Sequence, residues 1–551
     1  MIRPILMRLL KVFWLLPGFL LWAAFPPMGE RSDVLFALAP LLWLTRRADV
    51  RTNLRRWFAN GFLFWFLTLA WMPAIVKNGG PWPLVVLGWV GLSAYCALYF
   101  VAYGYLATKA WELVRVHGYV FRLLALLIVE PVLWAGLELV RSRLLGGFAW
   151  NQLGVVAVNT GFGAPAALGG VYLLSMVVIL INGTFASIAE RILPRFGMMS
   201  EASTPRWTRS VETLLPFLLV FAIFRTAERF CVEGGEVTRG GRKLSVALVQ
   251  RNFPCVFKDQ EERPILVYSN LLANVSSLRP DLIVLPESAM CEFGRLERAN
   301  ARHFADFVLR QTGARALLAG GTRVASAANG VDAELPGGRL GFPSLTYNSA
   351  ALYFSDFVSF YDKVHLVPFG EYIPGDKIFP RLQKLAPVGS CTPGELKLLT
   401  LGDVRLGVAI CYEDTDSAQI RRLAQLGADV LVFITNDSWF SFSDETVQHA
   451  WQSVARAIET GLPVVRVGNS GVTGTILPNG KASWLVDGDG SILVDAQGTM
   501  FDRISIPETV GGTPYTKFGD IPLFVLFLLL TGGIFLVKYK DYYEKRRYLS
   551  M

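Results

Sequence analysis

Residues 405–437, RLGVAICYEDTDSAQIRRLAQLGADVLVFITND, carry the pattern on which the fold depends. The runs 405–413 and 428–437 are apolar on successive residues, as in strands buried on both faces, and 416–426 between them reads as a helix. Strand-like runs of the same character continue outward on either side. Before this stretch they lie at 244–250, at 281–287 (DLIVLPE), at 314–323 and from 349, where Ser355 and Asp356 mark a hairpin turn. After it they lie at 464–470, 471–478 and 483–488. Helical patterns occupy 297–312 and 444–460, the latter stopped by Gly461 before Pro463. Strands alternating with helices, mixed with hairpins, predict an α/β layered sandwich whose sheets are covered by helices. Strand pairing is not legible at this level.

The rest of the chain is of another kind. Of 551 residues 52% are hydrophobic and 18% charged, against about 25% charged in soluble domains, and mean hydropathy is +0.40. That balance excludes a disordered chain, a collagen and an ordinary soluble domain. Apolar runs able to cross a bilayer lie at about 5–25, 32–45, 57–76, 82–107, 120–140, 165–190 and 210–225, with an eighth at about 520–538. The sequence thus predicts about eight transmembrane helices. The start resembles a secretory signal, but the spans that follow favour an uncleaved first helix.

With the N-terminus inside, the cytoplasmic pieces hold Arg46, Arg47, Arg51, Arg55 and Arg56, then Lys109, Arg115 and Arg122, then Arg191, Arg195, Arg206 and Arg209. Both termini add further basic residues, whereas the short opposite loops hold only Arg31, Lys77, Arg141 and Arg143. The asymmetry places both termini inside. The net charge of +9 is therefore mainly a topology signal, and no nucleic-acid partner is needed to explain it. The expected organisation is a membrane domain over 1–225 and a linker over 226–243. An extracytoplasmic α/β domain over 244–515, a C-terminal membrane helix over 516–538 and a cytoplasmic basic tail over 539–551 follow.

Chemistry has few candidates. Cys411 ends an apolar strand and opens a helical stretch, where helix-terminal charge would lower the thiol pKa; a buried core cysteine is the alternative. Of four histidines, His365 and His449 are positioned to serve it as base, although neither spacing demands it. No pair of His or Cys residues has metal-ligand spacing. Glu287 ends the strand DLIVLPE, and Lys363 lies in an apolar, aromatic run where a lysine needs partners and could hold an oxyanion. Cys231, Cys255, Cys291 and Cys391 are candidates for one or two disulfides or for free thiols.

DLIVLPE (281–287), YDKVHLVPFGEYIP (361–374), VAICYED (408–414) and TNDSWF (435–440), in that order, resemble the nitrilase superfamily. Together with the spans they resemble the apolipoprotein N-acyltransferase family. The resemblance implies an αββα, nitrilase-like sandwich with a catalytic triad of Glu287 as general base, Lys363 as oxyanion-holding amine and Cys411 as nucleophile. It implies supporting or substrate-binding roles for Glu371, Tyr412 and Glu413. It implies acyl transfer from a membrane phospholipid, through a Cys thioester, to the α-amine of a diacylated apolipoprotein, in a bacterial inner membrane with the catalytic domain in the periplasm. No cofactor or metal is called for, and a monomer is the default. Glu138, Arg141 and GGFAW (146–150) resemble a further family element, and a carboxylate there should face a protein cavity or the interface. Ala149, Asp259, Ser441 and Asn469-Ser470 depart from the family pattern without touching the triad. A membrane-tethered amidase acting on a small amide leaves the preceding spans without purpose. A transporter or receptor should show repeat symmetry in its spans, which the sequence lacks.

Overall fold

The computed structural model describes residues 13–192, 206–231, 241–254, 263–326, 344–375, 391–507 and 512–549. The chain forms two compact units, one of Met1–Cys231 with Lys517–Met551 and one of Val232–Thr516. Several expectations fall outside the described residues: the N-terminal basic end, half of the linker, Cys255 and Asp259.

In the first unit, six stretches among the described residues are long and apolar enough to cross a membrane. They are Val50–Asn78, Trp82–Val114, Tyr119–Arg141, Ala166–Ile192, Ser210–Glu228 and Ile521–Lys540. The first expected span is described only from residue 13, where a short helix runs Leu16–Ala23. The second is a 3-10 turn, Arg31–Leu35, followed by a helix, Ala39–Thr45. Pro40 starts that helix afresh, and the break is satisfied by one buried amide. Asn182 Oδ1 accepts from the Leu38 N–H at 2.8 Å and its Nδ2 donates to the Val34 carbonyl at 2.9 Å. Asn60 does the same for the Gly18 N–H at 2.8 Å. Irregular backbone at membrane depth survives only with such partners.

Buried charges in this unit are held by ion pairs or hydrogen bonds. Arg46 lies 3.0 Å from Glu130, whose other oxygen accepts from Trp111 Nε1 at 2.7 Å. Glu138 accepts from Trp134 Nε1 at 2.9 Å and the Leu153 N–H at 3.0 Å. Arg141 donates to the Phe148 and Trp150 carbonyls, each at 2.8 Å. Glu138 and Arg141 line one cavity with Trp65, Tyr99 and Tyr103, so the carboxylate does face a protein cavity.

The second unit is built from two six-stranded sheets. The strands are β1 (Lys243–Gln250), β2 (Leu282–Val284), β3 (Ala316–Ser326), β4 (Ser344–Tyr353), β5 (Val358–Asp362), β6 (Leu399–Leu401), β7 (Val404–Ile410), β8 (Val430–Thr435), β9 (Val464–Gly468), β10 (Gly474–Ile476), β11 (Ala482–Trp484) and β12 (Gly498–Ser505). One sheet has the order β12-β1-β2-β3-β4-β5 and the other β11-β10-β9-β8-β7-β6. β1, β2 and β3 run parallel, as do β7, β8 and β9. β12 closes antiparallel on β1, with Lys243 opposite Ser505.

Alternation along each strand explains the unbroken apolar runs. Val246, Leu248, Val284 and Leu318 meet Val408, Ile410, Val432 and Ile434 between the sheets. Ala247, Val249, Ile283 and Leu317 turn the other way, onto helices Pro264–Ser276 and Ala299–Thr312. Helices Ser417–Gln425 and Glu445–Thr460 belong to the other half. The helix at 264–276 and strands β6 and β12 are absent from the sequence-based expectation. β6 is three residues long, and β12 is half-buried along most of its length, so it shows no clean period.

Candidate active site

Parallel strands deliver side chains at their C-terminal ends. Glu287 follows β2, Cys411 follows β7 directly, and Asn436 follows β8; Lys363 follows β5. Two local conformations bring the first pair inward. Cys411 has φ of 54° and Ser288, after Glu287, has φ of 63°, a region that costs a non-glycine residue roughly 1–2 kcal/mol. Gly320 in β3 leaves room for this turn, since a Cβ there would lie 2.6 Å from Glu287 Cα.

Glu287 is buried and held at both oxygens. Asn348 Nδ2 donates to Oε1 at 2.7 Å and the Asn436 N–H donates to Oε2 at 2.8 Å. The same Asn348 amide reaches Glu371 Oε1 at 2.6 Å, which also accepts from Lys363 Nζ at 3.0 Å. Glu371 Oε2 takes the Val367 N–H at 2.8 Å. Lys363 is 1% exposed. Burial alone would push its pKa down, but Glu371, Cys411 and Glu287 outweigh that, and the ammonium is held above its usual range.

Burial, then Glu371, raises the Glu287 carboxyl above its usual value, against Lys363 and the two hydrogen bonds. Cys411 is pushed well above the ordinary thiol range by burial first and Glu287 second, while Lys363 and the neighbouring Thr435 hydroxyl pull the other way. The helix-terminal lowering expected at Cys411 is thus overturned. The element it opens is a five-residue 3-10 turn, Cys411–Thr415, too short for a strong dipole and outweighed by desolvation. The resting sulfur is a thiol that needs a base.

Glu287, Lys363, Glu371 and Cys411 therefore form one interacting group. Glu413 locks the frame of this group and also acts electrostatically on Lys363. It accepts from the Val364 and His365 N–H groups at 2.7 and 3.0 Å, the Ile410 N–H at 2.8 Å and Gln419 Nε2 at 2.7 Å. Tyr361 donates to it as well. This fixes the segment carrying Lys363 against the strand carrying Cys411. Tyr412 stacks edge-on against His365 at 5.7 Å, and His365 lies 3.5 Å from Asp416. The described cysteines Cys96, Cys231, Cys291, Cys391 and Cys411 are free thiols.

Residues 17–184 match the family described as "Apolipoprotein N-acyltransferase N-terminal domain", and residues 245–508 match "Carbon-nitrogen hydrolase". A relative named apolipoprotein N-acyltransferase, from Geobacter metallireducens, is 32% identical over 520 residues, covering 92% of this chain and 91% of the relative. The chain belongs to the apolipoprotein N-acyltransferase family. A second relative of that name, from Pasteurella multocida, is 26% identical over 92% of this chain and 91% of its own length. Among solved structures, an amidase of the nitrilase superfamily from Nesterenkonia AN1 aligns with 52% of this chain and 98% of its own, at 19% identity and a TM-score of 0.35.

In this N-acyltransferase family member, Asn348 is the residue beside Glu287, Lys363 and Glu371 that sequence reading passes over. Its signal is weak, an amide among the hydroxyl side chains of β4 (Ser344, Thr346, Ser349), and its reward is that one side chain spaces two carboxylates. Behind Cys411 lies a second buried group. His449 Nδ1 is 3.0 Å from Asp437 Oδ1 and Nε2 is 3.0 Å from Asp414 Oδ1. Both ring nitrogens of His449 are thus taken up by carboxylates. Asp437, Glu445 and His449 also bring ligand-type atoms within 4.8 Å of one another. Both ring nitrogens already face carboxylates, however, and Arg466 stands 3.5 Å from Asp437, so the donor set is that of an ion-pair cluster. Arg456 is paired with Glu459 at 3.0 Å.

Proposed function

We propose that this protein transfers an acyl chain from a membrane phospholipid to the α-amine of the N-terminal S-diacylglyceryl-cysteine of apolipoproteins, through a thioester on Cys411. The observation that carries it is the convergence of Glu287, Lys363 and Cys411, which follow β2, β5 and β7, into one interacting group, in a chain of this family.

Cys411 Sγ attacks the ester carbonyl while Glu287 takes the thiol proton. The oxyanion of the tetrahedral intermediate is held by the Lys363 ammonium, which Glu371 keeps charged and oriented. Collapse expels the lysophospholipid oxygen, which takes the proton from Glu287. In the second half, Glu287 accepts a proton from the attacking α-amine, and the Cys411 thiolate leaves and recovers it. The raised carboxyl suits this exchange better than an ordinary one, because its proton affinity lies closer to that of the groups it serves. Glu371, Tyr412 and Glu413 support or shape the site. The basic loops favour a bacterial inner-membrane protein with residues 244–515 on the periplasmic side, between the membrane domain 1–225 with linker 226–243 and the anchor 516–538 with its tail 539–551.

The experiment is a two-stage turnover of the purified protein in detergent. With phospholipid alone, one lysophospholipid per protein and an acyl mass on the Cys411 peptide are expected. Adding a diacylated lipopeptide should clear that mass and yield a triacylated product. Cleavage of small amides with no acyl mass on Cys411 would favour a membrane-tethered amidase instead.

Asn348 gives a pH prediction. Its hydrogen bond favours the ionised form of Glu287, so Asn348→Leu raises that pKa further. The base is then protonated up to a higher pH, and the acid limb of kcat/KM should move upward by about one pH unit, the worth of one such bond. A profile measured from pH 5 to 9 checks it; an unmoved limb would remove Glu287 from the role of base.

A further inference from the structure

The cluster behind the nucleophile joins five ionisable side chains from four places in the fold. Asp414 lies in the turn after β7, Asp437 in the turn after β8, Glu445 and His449 in helix Glu445–Thr460, and Arg466 in β9. All are at most 3% exposed. An ionised carboxylate only accepts hydrogen bonds, so a ring with both nitrogens on carboxylates must donate from both and carry the positive charge. Burial opposes that charge, but Asp414 and then Asp437 outweigh burial and Arg466, lifting His449 to about 10. Despite burial, His449 and Arg466 hold Asp414 and Asp437 below the usual carboxyl range. Burial and Asp437 push Glu445 up to about 8, so it is mostly neutral near pH 7. Two carboxylates then balance one imidazolium and one guanidinium, and the buried group has no net charge.

Its connections lead to the sulfur. Asp414 is three residues beyond Cys411 and is gripped by Arg466 and Ser453, each at 2.6 Å. On the other side, Thr435 Oγ1 donates to Asp437 Oδ1 at 2.6 Å, and the pairing of Ile410 with Ile434 across parallel β7 and β8 sets Thr435 beside Cys411, where its hydroxyl favours the thiolate. A hydroxyl has one proton and two lone pairs. Held on Asp437 it takes the thiol S–H; turned to sulfur it stabilises the thiolate. Gly471 lets this packing close, since a Cβ there would lie 1.9 Å from Asp437 Oδ2.

We propose that His449 is a positioning residue for Cys411: its ring clamps the turn after β7 to the turn after β8, and through Asp437 it holds the Thr435 hydroxyl on the nucleophile. The inference rests on Cys411 being the nucleophile of the acyl transfer.

The full-length protein in detergent is compared as wild type, Thr435→Val, Thr435→Ser and His449→Gln. Iodoacetamide labelling of Cys411 is followed against pH by mass spectrometry, with kcat, KM and melting temperature alongside. Valine keeps the shape and removes the hydroxyl. Its labelling midpoint is expected to rise by about one pH unit, with kcat at least about tenfold lower and KM little changed. Serine should restore both, and His449→Gln should move both in the valine direction. Where His449→Gln does not fold, Asp437→Asn is judged by the same two readouts. An unmoved profile in valine, failure of serine to restore it, or a wild-type profile in the clamp variant would each overturn the proposal. Labelling needs no acyl transfer, so failure of the acyl-transfer reading would appear separately, as wild type making no product.

Discussion

Cys411→Ala should lower acyl transfer by about 10⁴-fold or more, while the protein folds and inserts as before. Alanine removes the sulfur proposed to form the thioester, and what survives is substrate positioning beside Lys363. The fold should tolerate the change. Alanine is as strained as cysteine at the φ of 54°, and only one buried sulfur is lost. Cys411→Ser separates nucleophilicity from geometry. An alkoxide is harder to generate than a thiolate, and Glu287 is matched to a thiol, so serine should remain about as inactive. Loss of the acyl mass at residue 411, with an unchanged melting temperature, is the expected record. Transfer persisting in Cys411→Ala would place the nucleophile elsewhere.

Lys363→Met should harm both rate and stability, for separable reasons. Without the ammonium, the oxyanion of each tetrahedral intermediate loses its counter-charge, worth about 10²–10³ in kcat. Without it, Glu371 also loses its ion-pair partner at 3.0 Å, and breaking one side of a buried pair costs about 3–5 kcal/mol. Methionine fills nearly the same space, so packing is not the cause. The double variant Lys363→Met with Glu371→Gln resolves the two effects. Removing the stranded charge should recover most of the lost stability and none of the lost rate. Lys363→Arg should not rescue either, since a forked guanidinium does not fit a site 1% exposed that is built for a compact ammonium. Recovery of kcat in the double variant would show that Lys363 serves structure alone.

The parts legible in the sequence are those whose physics is local or periodic. Strands buried on both faces, such as β7 and β8, announce themselves as unbroken apolar runs. The turn at Ser355-Asp356 joins β4 to β5 as its residues suggest, and Gly461 adopts φ of 70° where helix Glu445–Thr460 ends. What was illegible depends on partners far away in the chain. The broken segment at 32–45 is held together by Asn182, and nothing near residue 38 announces that. Asp414 and Asp437 stand in recognisable motifs, but Arg466 is 52 residues beyond Asp414, and nothing local announces that the fold gathers them with His449. The direction of the Cys411 shift was misjudged because a turn's partial charge is visible locally, whereas desolvation and the approach of Glu287 are not.

The pairing of β1 with β12 has a bearing on how the α/β unit is made. Its first strand finds its outer neighbour only in its last, with Lys243 opposite Ser505. Until β12 emerges, the edge of β1 is an open row of unpaired backbone groups, the kind of edge that recruits other chains. Such long-range closure is slow compared with helix and hairpin formation. Assembly of this sheet is therefore completed by its last strand, and a chain stopped short of residue 498 would carry every candidate active-site residue beside a sheet unable to seal itself.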